Sequence, residues 1–232
     1  MPHSLAPELF SQASIAFDLD GTLVDTAPDL VRALNAVIRP RGLSDVLVDD
    51  VRAMVGRGAR ALIERAHARQ GVALEDETAV ALVSEFIEVY KADVAAESRV
   101  FPEVEETLAA MQQAGASLSV CTNKPSVLSD LLLQKLGLSR YFDRVIGPER
   151  TAAKKPAADH VHDALGQGHR YAGMVGDSAP DADAARAAGV PCLIMSYGYS
   201  EQPAGSLGAD RLIHEFSHVP ESLAALWQPR SA

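Results

Sequence analysis

No stretch of this 232-residue chain approaches the roughly 18 consecutive apolar residues that a membrane-spanning helix needs, so no membrane span is expected. Positive charge is also short. Lysine and arginine number 21 against 31 aspartates and glutamates, a formal net charge of -10, and that balance offers no basic surface for nucleic acid. An anionic small molecule is still compatible as a partner, because a few well-placed cations and backbone amides act locally while salt screens the distant field. The only cysteines are Cys121 and Cys192, each inside an apolar run (LSVCTN and VPCLIM). That setting predicts buried, reduced thiols and no metal site built from them. The N-terminal MPHSLAPELFSQAS lacks a basic segment followed by a long apolar one, so no secretory signal is expected and the protein reads as cytoplasmic. Histidines at 3, 67, 169, 214 and 218 are scattered without ligand spacing. His160 and His162 sit two apart on a predicted helix, hence on different faces, and are expected in solvent.

What the chain does have is a recurring pattern. Apolar residues at 47% and charged residues at 22% suit an ordinary globular fold of one large domain or two small ones. Short β-rich apolar runs at residues 15–17, 117–121, 145–146, 172–175, 191–195 and 211–213 read as buried strands. Helical spacings separate most of them: Val104, Leu108 and Met111; Val127, Leu128, Leu131, Leu132 and Leu136; Val161, Ala164 and Leu165; Ala184, Ala185 and Ala188. This alternation predicts an α/β fold with a doubly wound parallel sheet, whose ligands sit at the carboxyl ends of its strands. From about Thr26 to Arg99 only helical spacings occur, carried by Leu30, Leu34 and Val37, then Leu62 and Ile63, then Val83, Phe86 and Tyr90. Residues 26–98 are therefore expected as a helical insertion within a core made of residues 1–25 and 99–232. Pro40 and Gly71 would end two of its helices, and Pro102 would mark the return to the core.

The stretch IAFDLDGTLVDT, residues 15–26, sets an apolar run against two carboxylates. Asp18 and Asp20 stand two apart at a strand end, and a strand's period of two can aim both to one side. Close carboxylates repel unless a proton or a cation intervenes, so the pair suggests an acid plus a base, a hard-metal site, or both; it could equally cap a turn. Gly21 permits a sharp turn that would leave Thr22 and nearby amides free to face an anion. Three further strand ends extend the pattern. Cys121-Thr122-Asn123-Lys124-Pro125 supplies a hydroxyl and an amide suited to phosphate oxygens, with a proline suited to a first helical turn. AAKKPAAD brings Lys154 and Lys155 just before Pro156 and a helix, and AGMV runs into Gly176-Asp177-Ser178 with Asp181 close behind. Singly, each reads as a turn residue, a cap or a solvated charge; a doubly wound sheet would gather all four at one edge.

In that order, DLDGTLVD, CTNK, KKP and VGDSAPD resemble the haloacid dehalogenase (HAD) superfamily of aspartate-dependent phosphotransferases, and the resemblance covers nearly the whole chain. It implies that Asp18 is a nucleophile forming an aspartyl-phosphate and that Asp20 is the general acid and base. Thr122 would bind the transferring phosphoryl group, with Asn123, Gly21 and Thr22 beside the substrate. Lys155, in preference to Lys154, would steady nucleophile and phosphate. Mg2+ would be held by Asp18, Asp177 and the backbone carbonyl of Asp20, with Asp181 in support. The chemistry agrees: a carboxylate and a phosphate dianion repel until cations cancel their charge, and one positioned acid can protonate a leaving alkoxide and later deprotonate water. In the family pattern dehalogenases lack the second aspartate, so Asp20 argues against that activity.

The resemblance also makes the insertion a cap, hinged near residues 22–26 and 99–102, that closes over the site. MVGRGAR is similar to the family's cap loop, so Arg57 or Arg60 would pair with a substrate carboxylate unless both are simply exposed. No lysine occurs in the insertion before Lys91, which disfavours imine-forming phosphonate cleavage. Among capped members, DGTLVDTAPDL, VGRGAR, CTNK, SYGYS and ADRLIHEFSHVPESL most resemble phosphoglycolate phosphatases. The expected activity is magnesium-dependent hydrolysis of a small phosphorylated metabolite, 2-phosphoglycolate. The alternatives are a β-phosphoglucomutase-like phosphomutase, a phosphatase for another sugar phosphate or nucleotide, and a non-catalytic binding module. Ala158 in place of a second proline after Pro156, and Ser200 after Tyr199, depart from the pattern without touching a charged group.

Overall fold

A computed structural model describes residues 5–52 and 54–228; His3 lies outside them. A single turn, α1 (Pro7–Phe10), leads into the central strand β1 (Ala13–Phe17). A short strand β2 (Val24–Asp25) follows and pairs antiparallel with β3 (Arg99–Val100). Between these two lie α2 (Ala27–Ile38), α3 (Val48–Arg52), α4 (Ala59–Arg69) and α5 (Asp76–Ala92). After β3 the chain alternates through α6 (Val104–Gln113), β4 (Ser117–Cys121), α7 (Ser126–Lys135), β5 (Arg144–Ile146), α8 (Ala158–Leu165), β6 (Tyr171–Gly176), α9 (Ala179–Ala188) and β7 (Cys192–Met195). It ends in β8 (Arg211–Ile213) and α10 (Val219–Trp227).

The strands form one parallel sheet in the order β5-β4-β1-β6-β7-β8, a Rossmann-like arrangement, with Ile15 opposite Leu118 on one side and Gly173 on the other. Every residue of β1 is buried because helices cover both faces. The period of two divides its side chains. Ile15 and Phe17 join a large cluster with Leu108, Leu132, Phe216 and Leu223, whereas Ala16 packs with Met174, Ile194 and the α8–α9 residues Val161, Ala164, Ala182 and Ala185. The alanines on α9 let that helix lie close to the sheet.

Leu30, Leu34 and Val37 of α2, Leu62 and Ile63 of α4, and Phe86 and Tyr90 of α5 belong to the same continuous apolar cluster as Phe17 and Val120. The inserted helices thus pack on one another and, through α5, against α7 of the core. The β2–β3 pair, two residues per strand, lies below the length at which an alternating pattern can be read. Asp29 in the first turn of α2 reinforces the crossing point: its buried carboxylate accepts from the Ser98 amide at 2.8 Å, the Ser98 hydroxyl at 2.6 Å and the Glu97 amide at 3.0 Å. Pro125 stands one position outside α7, at its N-cap rather than in the first turn, with φ -49° and an extended ψ.

Candidate active site

The loops that follow β1, β4 and β6 leave the same edge of the sheet. The Asp18 amide still donates to the Val175 carbonyl at 2.8 Å, so Asp18 is fixed by sheet register before the chain turns. Gly21 makes that turn with φ +86°, and a Cβ there would lie 2.4 Å from Asp177 Oδ2. Only glycine fits. Thr122 is anchored the same way, its amide donating to Ile146 O at 3.0 Å. Lys155 comes from the loop before α8. Its amide donates to His160 Nδ1 at 2.9 Å, which leaves Nε2 to carry the proton and donate to Ile146 O at 3.0 Å.

Four buried charges meet at this edge. Lys155 Nζ lies 2.9 Å from Asp18 Oδ1 and 2.5 Å from Asp181 Oδ1. The first approach is ionic without a directed hydrogen bond, so Asp18 Oδ1 is a buried oxygen with no hydrogen-bond donor aimed at it among the described residues. Asp18, Asp177 and Asp181 each present a carboxylate oxygen within 4.8 Å of the others. Burial raises the Asp18 carboxyl to about 7, although Lys155 pulls in the opposite direction and Asp181 adds to the rise. Asp177 is likewise raised well above the usual carboxylate range, by burial first and then by Asp181 and Asp18. One ammonium does not neutralise three carboxylates. An all-oxygen donor set, short of positive charge and with an orphaned oxygen, fits a hard divalent cation.

Asp181 is the most committed of the three. Its Oδ2 accepts from the Ser178 hydroxyl at 2.7 Å and the Ser178 and Asp177 amides at 3.0 and 3.2 Å, closing a capping box on α9. Asp20 stands on the other side of Asp18's turn, accepting from Thr26 Oγ1 at 2.7 Å and from Lys124 Nζ at 2.9 Å. A cavity with about 40 Å³ of free space lies between core and insertion, lined by Asp18, Asp20, Thr122, Asn123 and Lys124 below and by Leu30, Val55, Gly56, Leu62, Phe86 and Tyr90 above. At about 10–15 Å³ per water-sized group, it holds only a few such groups.

Several sequence expectations need revision. Thr22 faces Asp177 and not the cavity: it is fully buried, and its hydroxyl donates to Asp177 Oδ1 at 2.8 Å. Arg57 is exposed and turned 3.8 Å from Glu201, off the cavity wall, because the glycines on either side carry only backbone over the site. Arg60 pairs with Glu64 at 2.7 Å and with Asp76 on the outer surface. Lys154 is exposed and donates to the Arg57 carbonyl at 3.3 Å, so of the two lysines it is Lys155 that meets Asp18. Asn123 Nδ2 bridges the Gly56 and Lys155 carbonyls at 3.0 and 3.1 Å. His160, expected in solvent, is fully buried, whereas His162 is exposed. Its helix carries it inward beneath the Lys155 loop, and burial lowers its pKa to about 4 with Lys155 reinforcing the shift. Sequence reasoning missed Lys124 altogether, although the CTNK stretch holds it one residue beyond the Asn123 that it selected.

The profile of the haloacid dehalogenase-like hydrolase family matches residues 15–195, which span all of these strand ends. The chain belongs to this family. Among its relatives, the phosphoglycolate phosphatase of Caulobacter vibrioides is 52% identical over 217 residues, covering 92% of each chain. The phosphoglycolate phosphatase of Agrobacterium fabrum is 43% identical, covering 89% of this chain and 90% of its own. A crystal structure of a predicted phosphoglycolate phosphatase from Haemophilus somnus superposes with a TM-score of 0.81 at 26% identity, covering 91% of this chain and 98% of that one. The HAD fold thus extends over core and insertion alike. Among the described residues, no helix is long and apolar enough to cross a membrane.

Proposed function

We propose that this HAD-family chain is a magnesium-dependent phosphatase that hydrolyses 2-phosphoglycolate through an aspartyl-phosphate on Asp18. The observation that carries this reading is the position of Asp18, a buried carboxylate beside the Lys155 ammonium, at the floor of a small cavity that also holds Asp20. The names of the relatives at 52% and 43% identity supply the substrate.

In the first half-reaction an Asp18 oxygen attacks phosphorus, the P–O bond to the glycolate oxygen breaks, and Asp20 gives that oxygen its proton. In the second, Asp20 takes a proton from water as the water attacks phosphorus, returning Asp18 and inorganic phosphate. Lys155 offsets the charge between nucleophile and phosphate, and the Thr122 hydroxyl, on the cavity wall, donates to a phosphoryl oxygen. Asp18, Asp177 and the Asp20 carbonyl would hold Mg2+, with Asp181 in support. When bound, the ion cancels charge that one ammonium cannot. Thr22 and Asp181 act by positioning, the first on Asp177 and the second on Lys155.

Residues 26–98 act as a cap in this reading. Glu201 of the core pairs with Arg65 and, more loosely, with Arg57, which fastens the cap closed and keeps bulk water from the phosphoenzyme until its turn. Reduced, buried Cys121 and Cys192 fit a cytoplasmic enzyme. The test is phosphate release from 2-phosphoglycolate and a panel of sugar phosphates and nucleotides, with Mg2+ or with EDTA. Highest catalytic efficiency on 2-phosphoglycolate, lost in EDTA and needing no sugar bisphosphate activator, is expected. Equal rates with and without the ion would sink the mechanism, and a bisphosphate requirement would make the protein a phosphomutase.

A further inference from the structure

Lys124 is a buried cation to which the mechanism above gives no part. It is 5% exposed, its Nζ lies 2.9 and 3.3 Å from the two Asp20 oxygens, and it sits 4.3 Å above the Tyr90 ring centroid. Tyr90, from the cap helix α5, is fully buried, and its hydroxyl makes no directed hydrogen bond among the described residues, with only the Lys124 ammonium close by. A buried phenol left unpaired is costly unless something it meets in function pairs with it. Both side chains line the cavity that holds Asp18, and Lys124 is the only cation among the described residues lining it. The other candidates are engaged elsewhere: Lys155 on Asp18 and Asp181, Arg57 on Glu201, Arg60 on Glu64 and Asp76.

We propose that Lys124 and Tyr90 together recognise the substrate's carboxylate, one from the core loop and one from the cap. The inference rests on the phosphatase reading and adds the residues that select its substrate, a phosphate ester carrying a carboxylate one carbon from the ester oxygen. The ammonium has three donors and shares them with Asp20, so one can be given to the incoming carboxylate. The Tyr90 hydroxyl donates to the other oxygen. A substrate without the carboxylate leaves the Tyr90 hydroxyl unsatisfied in an otherwise apolar roof and gains nothing from the Lys124 ammonium, which is how a polar pocket rejects an analogue lacking the matching group. Because the two donors come from opposite sides of the cavity, the carboxylate also ties the cap to the core.

The experiment compares kcat/KM for 2-phosphoglycolate with that for ethyl phosphate, which has the same two-carbon skeleton and no carboxylate. Wild type should favour 2-phosphoglycolate strongly. In Tyr90→Phe that preference should fall about tenfold, the value of one hydrogen bond to a charged group, and in Lys124→Met about a hundredfold. The same ranking should appear calorimetrically when 2-phosphoglycolate and ethyl phosphate bind to Asp18→Asn and to its double variants, where turnover does not enter. Preference ratios that stay within about twofold of wild type, rates on both substrates that fall in parallel, or a wild-type ratio near one would each overturn the assignment. Failure of the underlying reading looks different: wild type would release phosphate from neither compound with Mg2+ present, and the binding arm would then decide the carboxylate assignment alone.

Discussion

Magnesium should stabilise this protein far more at pH 8 than at pH 5, and the difference can be worked from the acid cluster. Burial raises Asp18 to about 7 and lifts Asp177 too. A carboxyl whose folded pKa exceeds its unfolded one binds more protons when folded, so the ion-free protein loses stability as pH rises from about 4 to about 7. The ion reverses this by displacing the proton, and each displaced proton weakens binding tenfold per pH unit below its pKa. Between a pKa of about 7 and pH 5, Asp18 alone accounts for about a hundredfold, or about 2.7 kcal/mol at 1.36 kcal/mol per unit. For a chain of this size that is roughly 5–10 °C of thermal midpoint, and Asp177 adds to it. The assay is the difference between midpoints in saturating Mg2+ and in EDTA, measured from pH 5 to pH 8. Taking the difference removes groups the ion does not touch, His160 among them. Asp18→Asn has no proton to displace, so its Mg2+ shift should be smaller and flatter with pH. A wild-type shift of equal size at both ends of the range would refute the argument that these carboxylates hold protons in place of a cation.

Asp20→Asn keeps an acceptor for Thr26 but removes the counter-charge of the buried Lys124 ammonium, so it should fold with a lowered melting temperature, and kcat should fall by about 10²–10⁴ because the proton donor is gone; unchanged kcat would remove Asp20 from the chemistry. Glu201→Gln loosens a latch whose members are substantially exposed, so it should raise KM a few-fold, as expected for surface pairs worth up to about 1 kcal/mol each, and steady-state kinetics would show it. His160→Ala should cost about 2 kcal/mol in denaturant melts by leaving the Lys155 amide unpaired, the Ile146 carbonyl keeping the Thr122 amide. Held neutral with a pKa of about 4, His160 binds fewer protons folded than unfolded, so stability is lost as pH falls from about 6.5 towards 4, and the variant should lack that limb of the pH profile.

The sheet was readable because its central strands β1, β4, β6 and β7 are buried on both faces and so announce themselves as apolar runs, whereas the edge strands β5 and β8 are half-buried or exposed, and the strand-end rule then gathered Asp18, Thr122 and Asp177 without any distance being known. What escaped reading depends on partners far away in sequence. Thr22 has the right side chain for an anion, but Asp177, 155 residues later, claims its hydroxyl. Arg57 and Arg60 have the right charge for a substrate carboxylate, but Glu201, Glu64 and Asp76 claim them. His160 differs from His162 only in facing the sheet, a distinction the helical period marks and the flanking Val161 and Ala164 could have assigned. Lys124 was legible as a type in the CTNK stretch, yet nothing local says that its ammonium turns back to Asp20.

That last contact bears on why the helices are inserted where they are. The insertion leaves the core directly after Asp25, and Thr26, the last residue before α2, donates to Asp20. Asp25 in turn is held by Tyr199 of the core and by Arg52 of α3 at 3.0 Å. A swing of the inserted helices about the β2–β3 pair therefore moves Thr26 and Tyr90, which are near neighbours of the Asp20–Lys124 pair, while Asp18 stays fixed by its register against β6. In the proposed mechanism the nucleophile would thus stand on rigid sheet and the acid next to the hinge. Under this geometry, substrates that seat the cap should also seat the acid, so poor substrates should lose kcat as well as KM. A substrate series in which KM varies while kcat stays constant would separate hinge from acid and break that link.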